Sequence, residues 1–206
     1  MKYFVSLIAI AAIFASALVA DHHMTAKVGE MAPNFTLTSA AGNEHSLADF
    51  KGKYVVLEWT NFGCPFVRKH YDVKNMQNLQ KEYTVKDVVW LSICSSAMGK
   101  QGYFEGDDLT KQLKEEGTNA TAYLIDADGK VGHMYGAKIT PHMFIINPEG
   151  KLVYAGAIDS KKSTNSEDIA NSTNYVKTSL DELMAGKEVS NPTTKPYGCS
   201  IKYAKK

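Results

Sequence analysis

The chain is short of cysteine. It has three among 206 residues, Cys64, Cys94 and Cys199, and no two lie close enough together for a zinc-type or haem-attachment spacing. The odd count leaves at least one thiol free or paired between chains. Charge of one sign is equally scarce: 23 Lys and Arg stand against 22 Asp and Glu, a formal net charge of +1. No basic excess is available for nucleic acid or anionic lipid. Internal repeats and low-complexity tracts are absent, which argues against solenoids and disordered linkers.

The one long apolar run stands at the beginning. Met1-Lys2 is a short basic start, and residues 3–14 are uncharged and apolar but too few for a comfortable membrane span. Residues 1–20 therefore read as a secretory signal peptide. Cleavage falls after Ala17, on the small-x-small pattern Ala15-Ser16-Ala17, or after Ala20. An uncleaved anchor is the alternative. On the signal reading the protein is exported, periplasmic or extracellular, with no stable membrane insertion after cleavage. Disulfides persist in such compartments.

What remains is ordinary globular material, 44% apolar, enough for one domain over residues 21–188 and a tail over 189–206. It is organised around Trp59-Thr60-Asn61-Phe62-Gly63-Cys64-Pro65-Phe66-Val67-Arg68-Lys69-His70-Tyr71. Residues 54–58 form an apolar, β-branched run that reads as a buried strand, and the period then switches to helical, with Val67, Tyr71 and Leu79 on one face of a helix running to about Tyr83. Cys64 thus sits at a strand-to-helix junction. A helix start offers unpaired N–H groups and the positive end of the macrodipole, and Pro65 suits its first position. Thiols so placed titrate between about 3.5 and 7.5, against about 8.5 for a free cysteine. Arg68, at i+4, can lay its guanidinium over the same sulfur. These features point to a nucleophilic thiol; the competing reading of Cys64 is a small buried hydrophobe.

The rest of the chain follows in order. Residues 31–37 alternate like an edge strand, and residues 46–50 suggest a helical turn. Residues 88–94 form a second buried strand, making a βαβ unit with the first. Residues 95–106 are a glycine-containing loop, followed by a helix to Gly117, a strand at 122–125 and a short helix over 131–136. Residues 143–146 and 152–156 form a hairpin about the turn Asn147-Pro148-Glu149-Gly150. The last helix spans about residues 167–185 and buries Val176, Leu180 and Leu183. Parallel strands followed by a hairpin predict an α/β protein, a central mixed sheet with helices on both faces.

Taken together, the cysteine opening a helix after a Trp-containing strand, the Ile139-Thr140-Pro141 step before the hairpin, and the hairpin turn resemble the thioredoxin fold. The front motif Val28-Gly29-Glu30-Met31-Ala32-Pro33-Asn34-Phe35, the Trp59 to Val67 stretch, Tyr135-Gly136-Ala137-Lys138-Ile139-Thr140-Pro141-His142 and Pro196-Tyr197-Gly198-Cys199 resemble the redoxin branch. That branch is the alkyl hydroperoxide reductase/thiol-specific antioxidant superfamily, in its peroxiredoxin-like subgroup. The resemblance implies a thioredoxin-like fold with an N-terminal strand extension, and a cis-proline loop at Thr140-Pro141 on the substrate side of Cys64. Two positions depart from the pattern. Val67 stands where thioredoxins carry the second cysteine of Cys-x-x-Cys, and Asn61, with Thr60 one step too early, stands where peroxiredoxins place a Thr or Ser.

A thiolate that has attacked a disulfide or peroxide needs a second thiol to resolve it. Cys94 lies in an apolar strand, so Cys199 in the tail is the expected partner, with an external thiol as competitor. The site therefore comprises Cys64, Arg68, Asn61 and Thr60, the Thr140-Pro141 loop and Cys199, with no metal and no cofactor. His70 and His142 could donate a proton to a leaving group, although positions in a helix and beside the proline loop explain them equally well. The expected activity is thiol–disulfide exchange with a protein partner or a small-molecule thiol. Peroxide reduction is the alternative, and a non-enzymatic thioredoxin-fold binding module, docking a partner or Cu(I), is the third reading.

Overall fold

Every residue of Val55–Trp59 is buried, and this strand sits inside the sheet that organises the chain. The computed structural model describes residues 25–205, so the proposed signal segment and its cleavage site lie outside the described residues. In chain order the strands are β1 (Thr36–Ser39), β2 (Glu44–Ser46), β3 (Val55–Trp59), β4 (Val89–Cys94), β5 (Ala122–Ile125), β6 (Ile139–Thr140), β7 (His142–Ile146), β8 (Leu152–Gly156) and β9 (Cys199–Ser200). The helices are α1 (Pro65–Tyr71), α2 (Asn75–Thr84), α3 (Gly106–Glu116), α4 (Lys130–Met134) and α5 (Tyr175–Met184). Seven strands form one mixed sheet in the order β2-β1-β5-β4-β3-β7-β8, and β6 pairs separately with β9. β3 runs parallel to β4 and antiparallel to β7, with Trp59 opposite His142. Among the described residues no helix is long and apolar enough to cross a membrane.

Alternation along β3 divides the core between the two faces of the sheet. Val55, Leu57 and Trp59 join Phe35, Leu91 and Phe144 on one side. Val56 joins Val67, Tyr71, Met76, Tyr83 and Leu180 on the other, beneath α1, α2 and α5. Glu58 is fully buried within the same strand. It is tolerated because Trp90 Nε1 (2.8 Å), Ser92 Oγ, Gln80 Nε2 and Tyr71 OH (3.0 Å each) all donate to its carboxyl oxygens. Burial still pushes its carboxyl above the usual carboxylate range, against the pull of those donors. The network ties β3 and β4 to α1 and α2.

Three expected elements are placed differently. The helix after Cys64 is broken: α1 ends at Tyr71 and α2 begins at Asn75, with Lys74 in the left-handed region at φ 63°. Side chains take up the groups freed at the break, as Gln77 Nε2 donates to the Tyr71 carbonyl (3.0 Å) and Asn75 Nδ2 meets His70 Nδ1 (2.8 Å). The last helix starts later than expected. Asn165 caps a 3-10 turn over Ser166–Asn171, and Asn174 then caps α5 by accepting from Lys177 N. At the front, strand structure begins at Thr36, and Met31 makes only an isolated bridge to Lys151.

Glu58→Ala should cost about 3 kcal/mol or more, because it leaves a cavity and orphans buried donors. Urea unfolding midpoints at unchanged slope measure this; a loss under about 1 kcal/mol would show that the network contributes little.

Candidate functional site

Cys64 is the N-cap of α1, extended at φ −88° and ψ 124°, with Pro65 in the first helical position. Its backbone N–H donates to Asn61 O, and its carbonyl accepts from Val67 N and Arg68 N, each at 2.9 Å. The helix start therefore aims the side chain toward the loop ahead of β7. There the Cys64 thiol donates to the Thr140 carbonyl at 3.2 Å. The Thr140-Pro141 bond is cis, and Cys64 has no exposed surface.

The tail supplies the other half of the site. β9 pairs antiparallel with β6, which puts Cys199 directly opposite Thr140. Burial, followed by the proximity of Cys64, pushes the Cys199 thiol up to about 11. Such close approach requires glycine next door, since a Cβ at Gly198 (φ 153°) would stand 1.9 Å from the Thr140 carbonyl oxygen. Tyr197 sets its ring edge-on to Phe66 at 5.7 Å, and its hydroxyl donates to Asp159. Lys69 Nζ, wholly buried, completes this cluster through Asp159 Oδ2 (2.9 Å), the Lys161 carbonyl (2.9 Å) and the Tyr197 hydroxyl (3.3 Å). Composition gave no sign of it; the signals were a lysine in the α1 stretch and the tyrosine of Pro196-Tyr197-Gly198-Cys199.

The other expected site residues are distributed unevenly. Arg68 commits Nε, Nη1 and Nη2 to Asp72 and Glu116 rather than to the sulfur. Asp72 lies one turn along α1 and Glu116 on α3, and Coulomb attraction to both holds the guanidinium. Asn61 shapes the turn before Cys64: its Oδ1 accepts from Gly63 N at 2.9 Å, and its Nδ2 donates to Gln101 O at 3.2 Å. Thr60 is held by its backbone N–H on Ile93 O, and among the described residues its buried hydroxyl has no partner; the same is true of the Thr140 hydroxyl. Cys94 is buried at the end of β4 and donates to Gly102 O at 3.2 Å. His70 is pushed down to about 4, first by burial, with Asp159 opposing. His142 is likewise pushed down to about 4 by burial, and its Nδ1 has no partner among the described residues. Both imidazoles are neutral at physiological pH.

A cysteine at a strand-to-helix junction, facing a cis-proline across a mixed sheet, defines a thioredoxin-like protein. Comparison gives the branch: the profile of the AhpC/TSA family matches residues 28–155, and the chain belongs to that family. It is similar to thiol-disulfide oxidoreductase ResA of Bacillus subtilis, 30% identical over 61% of this chain and 64% of that protein. Among solved structures, an uncharacterized conserved protein from Geobacillus kaustophilus is 28% identical with a TM-score of 0.75, covering 87% of this chain and 94% of that one. The thioredoxin domain of a thiol-disulfide oxidoreductase from Bacteroides vulgatus shares the fold at 23% identity and a TM-score of 0.51, covering 71% and 98%.

The buried histidines give the site a pH dependence. His142 titrates near 6.5 when unfolded and near 4 when folded, so below pH 6.5 the unfolded chain takes up the proton first and stability is lost down to about pH 4. For one such group the loss approaches about 3 kcal/mol. His142→Asn should lose correspondingly less stability than wild type between pH 7 and 4.5 in urea titrations. Equal losses would show that His142 is not held neutral by the fold.

Proposed function

We propose that this protein is a thiol–disulfide oxidoreductase in which Cys64 attacks and Cys199 resolves. One observation carries the reading: Thr140, whose carbonyl accepts the Cys64 thiol, pairs in register with Cys199, beside the cis-proline. With Val67 at the third position after Cys64, no local partner exists, and the tail brings one from far along the chain.

The roles follow from the charges. Burial holds the Cys199 proton in place, and Cys64 stands at the positive end of α1, so Cys64 is taken as the sulfur that attacks. Its thiolate displaces one sulfur of the substrate disulfide, forming a mixed disulfide and releasing a substrate thiolate that takes up a proton. Once Cys64 is in that bond it carries no charge, which relieves part of what holds Cys199 protonated. Cys199 then loses its proton and attacks the Cys64 sulfur. The second substrate sulfur leaves, and a Cys64–Cys199 disulfide remains. Two electrons and two protons pass from the enzyme to the substrate.

Asn61 and Pro141 act as positioning residues, Asn61 by fixing the turn that presents Cys64 and Pro141 by turning the Thr140 carbonyl toward it. Arg68, paired with Asp72 and Glu116, steadies α1 instead of covering the sulfur. The name of the Bacillus relative and the family assignment support the activity. Export, with an extracytoplasmic thiol or disulfide protein as partner, is part of the proposal and rests on residues 1–20. Family membership also supports peroxide reduction as a second reading, in which Cys199 condenses with a sulfenic acid on Cys64.

Reduction of insulin disulfides by the mature protein with dithiothreitol as donor tests the proposal. Wild type should accelerate it, Cys64→Ser should fall to background, and Cys199→Ser should accumulate a mixed disulfide. Activity surviving Cys64→Ser would overturn the assignment, and hydrogen peroxide consumption without insulin reduction would select the second reading.

A further inference from the structure

The turn that presents Cys64 is gripped from outside by the loop between β4 and α3, residues 95–105. Two amide side chains join the two segments: Asn61 Nδ2 donates to the Gln101 carbonyl (3.2 Å), and Gln101 Nε2 donates back to the Gly63 carbonyl (3.0 Å). Each amide lies on a glycine of the other segment. A Cβ at Gly63 would stand 2.9 Å from Gln101 Nε2 and 3.1 Å from its Cγ, and one at Gly102 would stand 2.4 Å from Asn61 Cγ. Gly102 is left-handed at φ 89°, where glycine is favoured in any case. Gly63 lies outside that region, so its own backbone admits a side chain and the Gln101 amide is what asks for glycine there.

The loop is itself well held. Ser95 Oγ accepts from Trp59 Nε1 (2.9 Å), Ala97 N–H donates to the Lys202 carbonyl (2.9 Å), and Cys94 Sγ donates to the Gly102 carbonyl (3.2 Å). Its backbone is thus tied to β3, to the end of β4 and to the tail three residues beyond Cys199, and Gln101 projects from a fixed base. Within the turn, Asn61 closes the chain on itself: its Oδ1 accepts from Gly63 N and its carbonyl from Cys64 N, at 2.9 Å each. Those bonds set the shape of the turn, and Gln101 sets its orientation against the sheet. The Gly63 carbonyl and the Cys64 N–H belong to one planar peptide group, so whatever holds the oxygen also aims the residue that follows.

We propose that Gln101 is a positioning residue for Cys64: by pinning the Gly63–Cys64 peptide plane it keeps the sulfur over the start of α1 and directed at the Thr140 carbonyl. The proposal rests on the thiol-exchange reading above and adds to it a residue from a different element. Gln101 is exposed, so water can replace its amide as a donor to the carbonyl, but water cannot hold the plane. A freed plane lets Cys64 drift from the N–H groups and the positive dipole end that favour its thiolate, and misplaces it for in-line attack on a disulfide.

The test follows the pH profile of Cys64 alkylation by iodoacetamide in the reduced mature protein, read by peptide mass, beside insulin reduction and urea unfolding. Gln101→Met keeps the length of the side chain and removes the donor. It should move the midpoint of the alkylation profile to higher pH and slow insulin reduction by about tenfold, with the urea midpoint unchanged because the side chain is exposed. Gly63→Ala, which pushes Gln101 aside without straining its own backbone, should do the same. An alkylation midpoint equal to that of wild type in both variants would overturn the proposal, and a lowered urea midpoint beside it would mark the bond as merely structural. Gln101→Glu separates position from charge: a shift in this variant alone would mean a carboxylate acting through space and would equally overturn it. If the wild-type protein itself failed to reduce insulin, the exchange reading would fall, while the alkylation profile would still decide the role of Gln101.

Discussion

The site depends on one carbonyl. Thr140 O accepts the Cys64 thiol, lies ahead of the cis bond to Pro141, and is the atom that forbids a side chain at Gly198. The same residue pairs in register with Cys199. Three stretches far apart in sequence, a helix cap, a proline loop and the C-terminal Gly198-Cys199 pair, are thereby brought to one point. Backbone carries this convergence, so the geometry is held by the sheet and not by rotamers: β3 and β7 pair with Trp59 opposite His142, which fixes the spacing between the start of α1 and the proline loop.

Around that point the protein buries two carboxylates and satisfies each with several donors. Glu58 behind the site and Asp159 beneath the tail each collect several donors. A buried polar group left unpaired is costly, and one fully paired specifies a single arrangement. Each cluster couples separate parts of the chain. Glu58 fixes α1 and α2 to the sheet, and Asp159 fixes α1 to the tail through Lys69 and Tyr197. The reactive helix is thus clamped from below and from the side.

Much of this was legible in the sequence, because it rests on local rules. Apolar β-branched runs marked β3 and β4, the Asn-Pro-Glu-Gly turn marked the β7–β8 hairpin, and the Gly63-Cys64-Pro65 step marked the cap of α1. What was not legible depends on distant partners. Periodicity carried one helix through residues 65–83, whereas the break at residues 72–74 is stabilised by Gln77 and Asn75 reaching back to Tyr71 and His70. Arg68 was placed over the sulfur by its i+4 spacing, but Glu116 lies 48 residues away and has no local trace. The acid Glu58 closes the apolar run at residues 54–58 with no local partner, because its donors stand on three other elements.

The most direct measurement is the disulfide formed when the mature protein is oxidised with one equivalent of diamide and mapped without reduction. The account predicts a single linked pair of peptides carrying Cys64 and Cys199, with Cys94 alkylated as a free thiol. A bridge involving Cys94, or Cys199 recovered free after oxidation, would contradict it.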